Sequence, residues 1–284
     1  MKKRFDIYQM VTDNIITALE KGIVPWNKPW NQSGLPMNLT TKKPYRGINP
    51  FLLSIQPFSS PFWLTFNQIR KIKNAQLIKG AKATPIVFWK FCESKEVDET
   101  GNHKSFAMLK YYNVFNVEQT TGLEYPKPDT LDFQPIIDCE NITSKMKNTP
   151  EIVFGGNRAF YNKEQDQIGL PQQEQFKSIE NFYATKFHEI VHSTGHTKRL
   201  NRKELMNTAG VLFAGDDYSN EELVAELGAS FLSALTGIGE KTIDNSAAYI
   251  KGWLAQLRND KKLIVSASGK AQAAVDYIVG ATFN

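Results

Sequence analysis

The sequence predicts an α+β fold in two domains, and three observations carry that prediction. Short β-branched and aromatic runs interleave with helical periodicities in the first 125 residues. Longer helical periodicities, with only a small sheet, dominate after residue 150. The charge also changes sign between these parts: residues 1–90 hold 14 Lys and Arg against 3 acids, whereas residues 126–284 hold 17 against 20. A basic domain joined to a mildly acidic one implies that the two meet different partners. The expected division is a basic domain with antiparallel strands at 1–125, a linker at 126–149 and a mainly helical domain at 150–284.

Each element follows from its local pattern. Phe5, Tyr8, Val11, Ile15, Ile16 and Leu19 have helical spacing, and Gly22 ends that run. The stretch Pro25-Trp26-Asn27-Lys28-Pro29-Trp30 forbids a continuing helix and reads as a loop. Thr65 N-caps a second helix running to Lys73. Residues 84–91 and 107–117 are β-branched and aromatic, hence strands, with the charged span 93–104 expected as a hairpin loop between them. Prolines at 126, 128, 135 and 150 mark the linker. Residues 151–154 and 159–161 read as strands around a Gly155-Gly156 turn, and residues 166–170 as an edge strand able to pair with an extended peptide. Helices are expected at 178–194 and 219–235, with two more towards the carboxy end.

Some function classes are excluded. No run of eighteen apolar residues exists, so no membrane-spanning helix is encoded. The basic start leads into an amphipathic helix rather than an apolar signal core, which makes a cytoplasmic location the expectation. Cys92 and Cys139 lie far apart with no CxxC spacing, so neither a disulfide framework nor a cysteine metal site is expected.

The string Phe187-His188-Glu189-Ile190-Val191-His192-Ser193-Thr194-Gly195-His196 carries the chemistry. Ser178 is a fitting N-cap and Gly195 a fitting terminator for its helix. Histidines at i and i+4 share one helical face, roughly 5–6 Å apart at Cβ, so both imidazoles can reach one Zn2+. Glu189 then faces the open coordination position as general base for a metal-bound water. Three of the four histidines fall within nine residues, which argues against two solvent-facing rings placed by chance. The longer HExxHxxGxxH pattern fails, because position 198 is Lys198. The segment Glu222-x-x-Ala225-Glu226 resembles the second-helix signature of glutamate-zincins, which implies Glu222 as third ligand and Glu226 as the residue orienting a ligand histidine. The alternative stays open: Ser219-x-x-Glu222 is also a capping box, and Glu226 is then the ligand. Tyr218 is a candidate donor to a developing oxyanion. Lys198, Arg199, Arg202 and Lys203 read as a solvated basic face.

In the basic domain, cationic side chains interleave with aromatic ones, the combination that neutralises phosphates and stacks unpaired bases. The candidate DNA-binding positions are Trp26, Lys28, Trp30, Lys42, Lys43, Tyr45, Arg46, Arg70, Lys71 and Lys73. Trp63 and Trp89 sit in apolar runs and are expected to be core.

The chain resembles the ArdC-type antirestriction proteins over nearly its whole length. In the first half the resemblance is carried by Pro25-Trp26-x-Lys28-Pro29-Trp30, Pro44-Tyr45-Arg46-Gly47-Ile48-Asn49, Trp63-Leu64-Thr65-Phe66 and Tyr111-Tyr112-Asn113-Val114-Phe115-Asn116. In the second it is carried by the HExxH string, Arg199-Leu200-Asn201-Arg202 and Glu221-Glu222-Leu223-Val224-Ala225-Glu226. Asn27 stands where a basic residue is common. The resemblance implies a mobile-element protein with a single-stranded-DNA-binding domain and a zincin-like zinc metallopeptidase domain, protecting incoming conjugative DNA from host restriction. Its partners would be single-stranded DNA and an unknown protein or peptide substrate. The competing reading is a non-catalytic DNA-shielding protein whose zinc is structural or vestigial.

Overall fold

The computed structural model describes residues 5–26, 34–97, 103–126, 135–206, 216–238 and 247–281. It is α+β, as the sequence predicts, and no described helix is long and apolar enough to cross a membrane. Helix α1 (Ile7–Glu20) starts at Asp6, whose carboxylate accepts the Gln9 N–H, and buries Val11, Ile15 and Leu19. After β1 (Met37–Asn38) comes α2 (Asn49–Ser54), which the Pro-rich sequence hid: Pro50 sits in its first turn, where a missing N–H costs nothing. Strand β2 (Phe62–Thr65) runs directly into α3 (Phe66–Lys71), entered through a reciprocal capping box between Thr65 and Gln68. The short β3 (Gln76–Leu77) pairs with β6 (Thr120–Thr121).

Between these two lies a long hairpin of β4 (Thr84–Val97) and β5 (His103–Asn116). Both strands extend into the charged span expected as loop. Ladder pairing satisfies the backbone whatever the side-chain polarity, so charge there does not end a strand. The main sheet has the order β1-β2-β5-β4, antiparallel except for the parallel β1–β2 pair. Asn49 of α2 closes the outer edge of β4, its amide donating to the Val87 carbonyl and accepting the Val87 N–H, both at 2.8 Å.

The span expected as a linker contains α4 (Pro135–Ser144), with Cys139 fully buried. Pro135 opens this helix instead of breaking one. Then β7 (Glu151–Phe154), β8 (Phe160–Asn162) and β9 (Gln167–Leu170) form a sheet in the order β7-β9-β8. Residues 167–170 are therefore the central strand, not an edge; among the described residues the outer strands are β7 and β8. Helix α5 (Ile179–Ser193) begins at Ser178, whose hydroxyl accepts the Asn181 N–H. The remaining helices are α6 (Lys203–Met206), α7 (Asp216–Thr236), α8 (Ala247–Asn259) and α9 (Leu263–Val279).

One hydrophobic core joins both ends of the chain. Val11, Ile15, Leu19, Trp26 and Phe51 belong to the same buried cluster as Phe187, Leu223, Phe231, Trp253 and Ile264. Smaller clusters underlie the amino-terminal sheet, one around Leu64 and Ile69 and one around Trp63 and Ile86.

Candidate metal centre

Helices α5 and α7 bring His188, His192 and Glu222 together. One turn of α5 places the His188 and His192 Nε2 atoms 3.0 Å apart, and each lies 3.4 Å from a different Glu222 oxygen. Bonds of about 2.0–2.1 Å in tetrahedral geometry put neighbouring donors roughly 3.3 Å apart. The three spacings fit one shared cation. Two nitrogens and a carboxylate, aimed at one point, are a donor set that could hold one metal ion. His188 is 22% and Glu222 27% exposed at the side chain, so water reaches that side.

Glu222 can make this approach because α7 begins at Asp216. Ser219 therefore lies inside the helix, and Glu222 is not occupied as a capping residue. Gly228, further along α7, permits the close packing on α5: a Cβ there would stand 2.8 Å from both Cγ atoms of Val191.

Consecutive acids grip His192 from opposite sides. Glu222 faces its Nε2, while the buried Glu221 lies 3.2 Å from its Nδ1. The carboxylate against the outer nitrogen of His192 is thus Glu221, the neighbour of the residue expected to bind the metal. Burial would lower the His192 pKa, but Glu221 and Glu222 outweigh it and raise it to about 10. A field that attracts a proton so strongly also attracts a metal cation. For Glu222, burial opposes ionisation, yet hydrogen bonds from His188 and His192 prevail and hold the carboxyl well below its usual range.

Glu221 is fixed in turn by Arg202. Its Nε donates to Glu221 Oε2 at 2.9 Å, and its Nη2 reaches Glu221 Oε1, the Val191 carbonyl at 2.8 Å and the His192 carbonyl at 3.3 Å. This one guanidinium neutralises a buried acid and caps the last turn of α5. Gly195 makes room for it: a Cβ at Gly195 would lie 3.0 Å from Arg202 Nη2 and 2.8 Å from Leu205 Cδ2. Gly195 serves this close approach; α5 has already ended, with Thr194 as its C-cap.

Glu189 is buried and receives the Tyr161 backbone N–H of β8. Burial, helped by Glu222, pushes its carboxyl up, while His192 and His188 pull it down; the net shift is upward. That direction suits a carboxylate that must hold a proton in transit. Glu226, one turn beyond Glu222, is raised by burial and hydrogen-bonds Tyr249. Tyr249 in turn accepts from Trp26 Nε1 at 2.9 Å. Tyr218 falls in the first turn of α7, and its side chain lies outside the described residues.

The basic cluster after the helix divides: Lys198 and Lys203 are exposed, as expected, but the two arginines are not. Arg199 is fully buried at the side chain and Arg202 is 5% exposed. Arg199 donates to Asp166, to Tyr161 Oη at 3.1 Å and to the Asn148 carbonyl at 2.7 Å. His196 is drawn to Asp166, 3.8 Å away, and is not among the converging donors.

The amino-terminal candidates fare differently. Trp26 is 1% exposed, wedged edge-on against Trp253, so its face is not free to stack on a base. Lys28 and Trp30 lie outside the described residues. Tyr45 is half-buried, and burial pushes its hydroxyl up to about 12. Arg46 pairs with Asp276 of α9. Lys42, Lys43, Arg70, Lys71 and Lys73 are exposed, with the Lys42 ammonium 5.2 Å from the Phe62 ring centre. Trp63 is core, as expected, but Trp89 is 48% exposed.

Comparisons with known proteins bear on the fold and the family. Residues 139–270 match a family described as zincin-like metallopeptidase, and residues 5–115 match the N-terminal domain of anti-restriction factor ArdC. The crystal structure of the antirestriction ArdC protein from plasmid R388, in metal-free form, is similar at 34% identity and a TM-score of 0.76, covering 96% of this chain and 97% of that one. Its Mn(II)-bound structure is similar at 32% identity and a TM-score of 0.77, covering 99% and 100%. A DNA primase TraC of Escherichia coli is 32% identical over 298 residues, which cover 98% of this chain but 20% of the primase. The chain thus spans about a fifth of that relative's length.

Proposed function

The chain belongs to the ArdC antirestriction family, and from that premise we propose that it is a DNA-associated metallopeptidase of a mobile element. In this reading it acts in the cytoplasm, binds single-stranded DNA through its basic amino-terminal domain and hydrolyses a protein or peptide substrate. The metal would be zinc, held by His188, His192 and Glu222. The observation that carries the reading is the convergence of those three donors, spaced 3.0–3.4 Å apart, beside a buried glutamate.

When bound, the cation supplies a Lewis acid that makes its water acidic near neutral pH and polarises a substrate carbonyl. The chain's own residues do the rest. Glu221 and Arg202 fix the His192 ring so that Nε2 faces the centre. Glu222 contributes the negative charge that offsets part of the cation's. Glu189 accepts a proton from the attacking water and passes it to the leaving amine. The Tyr161 N–H on Glu189 brings the outer strand β8 beside the reacting groups, and an extended peptide laid along it would present its carbonyl there.

Glu189→Gln tests the reading. It should keep metal binding, measured by calorimetry, while lowering any proteolytic turnover by about 10²–10⁴-fold and removing protection of incoming DNA. Full protection by this variant would favour DNA shielding over hydrolysis.

A further inference from the structure

If the amino-terminal domain binds single strands, Trp26 is not where their bases stack, and another aromatic surface must serve. We infer that one face of the β4–β5 hairpin is a single-stranded nucleic-acid platform. The inference rests on the DNA-binding part of the function proposed above and assigns it a location.

The register defines the face. Ile86 pairs with Tyr112, Phe88 with Lys110, Lys90 with Met108 and Cys92 with Phe106. Alternation along both strands sends these side chains to the same side. The opposite side is partly covered by α1 and the residues that lead into it, where Tyr111 meets Phe5 at 5.0 Å and Trp89 meets Tyr8 at 6.4 Å between ring centres. On the first side, Phe88, Phe106 and Tyr112 are 40%, 46% and 42% exposed. The Phe88 and Tyr112 rings lie 5.2 Å apart and form one apolar patch. Its root is rigid, because Ile86 and Val114 pack on the buried Trp63.

Charge selects the occupant. Lys90 and Lys110 stand exposed among these rings, and neither residues 84–92 nor residues 106–116 contain an acid. Rings flanked by ammonium groups that pair with no acid among the described residues suit a ligand with flat apolar faces along a polyanionic chain. A duplex keeps its base faces stacked inside, whereas an unpaired strand offers them. A protein partner would have to bring its own acids to this surface, while a nucleic acid carries a phosphate at every residue.

The test is fluorescence anisotropy of a labelled thymidine 20-mer with the full chain, over a range of salt. Phe88→Ala with Tyr112→Ala should weaken binding roughly 5- to 100-fold or more, the cost of losing one stacked base. Lys90→Gln with Lys110→Gln, which leaves the apolar packing intact, should reduce the slope of log affinity against log salt by about 0.7 for each lysine that meets a phosphate. Unlabelled single strand should compete far better than duplex. Wild-type affinity and slope in both double variants, with binding lost instead in Lys42→Gln/Lys43→Gln, would overturn the hairpin assignment and leave DNA binding intact. Equal competition by duplex would overturn the preference for single strands. No binding by the wild-type chain would remove the DNA-binding reading itself, and the platform with it.

Discussion

Glu221 and Glu222 are adjacent in sequence yet point to different nitrogens of one ring, and each has a separate consequence. Replacing Glu222 removes a donor. Replacing Glu221 with Gln leaves the donors in place but weakens the hold on His192, which should lower metal affinity about 10- to 100-fold in a chelator competition assay. Unchanged affinity would mean that packing alone orients the ring. Glu221→Ala is a different experiment: it strands the Arg202 charge in the interior and should cost about 3–5 kcal/mol of stability. Asp166 offers a pH-dependent counterpart away from the metal site. Burial pushes its carboxyl up, but Arg199 and Tyr161 outweigh this and hold it well below the usual carboxylate range. A depressed folded pKa means the contribution is fully present above the unfolded value, near 3.9, and is lost as pH falls through the folded value. Thermal melts should therefore show Asp166→Asn destabilising the protein at pH 6 and differing progressively less from wild type at low pH. A constant gap across that range would contradict the linkage.

Helix α7 reaches α5 only because Gly228 lacks a side chain. Gly228→Ala should force the helices apart against Val191, cost about 1–3 kcal/mol and draw Glu222 away from the histidines. Reduced metal affinity together with a lowered melting temperature is the expected pair of results; a lower melting temperature with intact affinity would show that α7 yields elsewhere. This contact also illustrates what the sequence conceals. The HExxH string was legible because its i, i+4 spacing defines both the helix and the chemistry. The positions of Arg199 and Arg202 were not, because a cation shortly past a helix looks solvent-exposed until its partners, Asp166 and Glu221, are in view. Proline misleads in the same way: Pro135 reads as a linker marker, yet it occupies the start of a helix, where it is tolerated. The long hairpin was foreseen, but its arms were not, since charge marks exposure rather than the end of a ladder.

Across the whole molecule, the opposed charges of the two halves suggest bodies with separate partners. The interior does not divide there. Phe51 of α2 is fully buried and its ring lies 4.8 Å from that of Phe231 on α7, the helix that carries Glu222. Helix α1 packs on α8, and Arg46 ties the amino-terminal loops to α9 through Asp276. Unfolding the amino-terminal helices would therefore expose the apolar back of the metal-site helices: the two parts share the largest core, and the amino-terminal sheet adds only smaller clusters of its own. Phe51→Ala should cost about 3–5 kcal/mol. The loss should appear equally in both halves: in urea, tryptophan fluorescence and the visible absorption of a Co(II)-loaded centre should move to lower midpoints together. Were the halves separately stable, the fluorescence midpoint alone would shift and the metal spectrum would persist to its original urea concentration. Coincident transitions would make the basic domain part of the scaffold that holds His188, His192 and Glu222 in register, so that damage to one end of the chain is felt at the other.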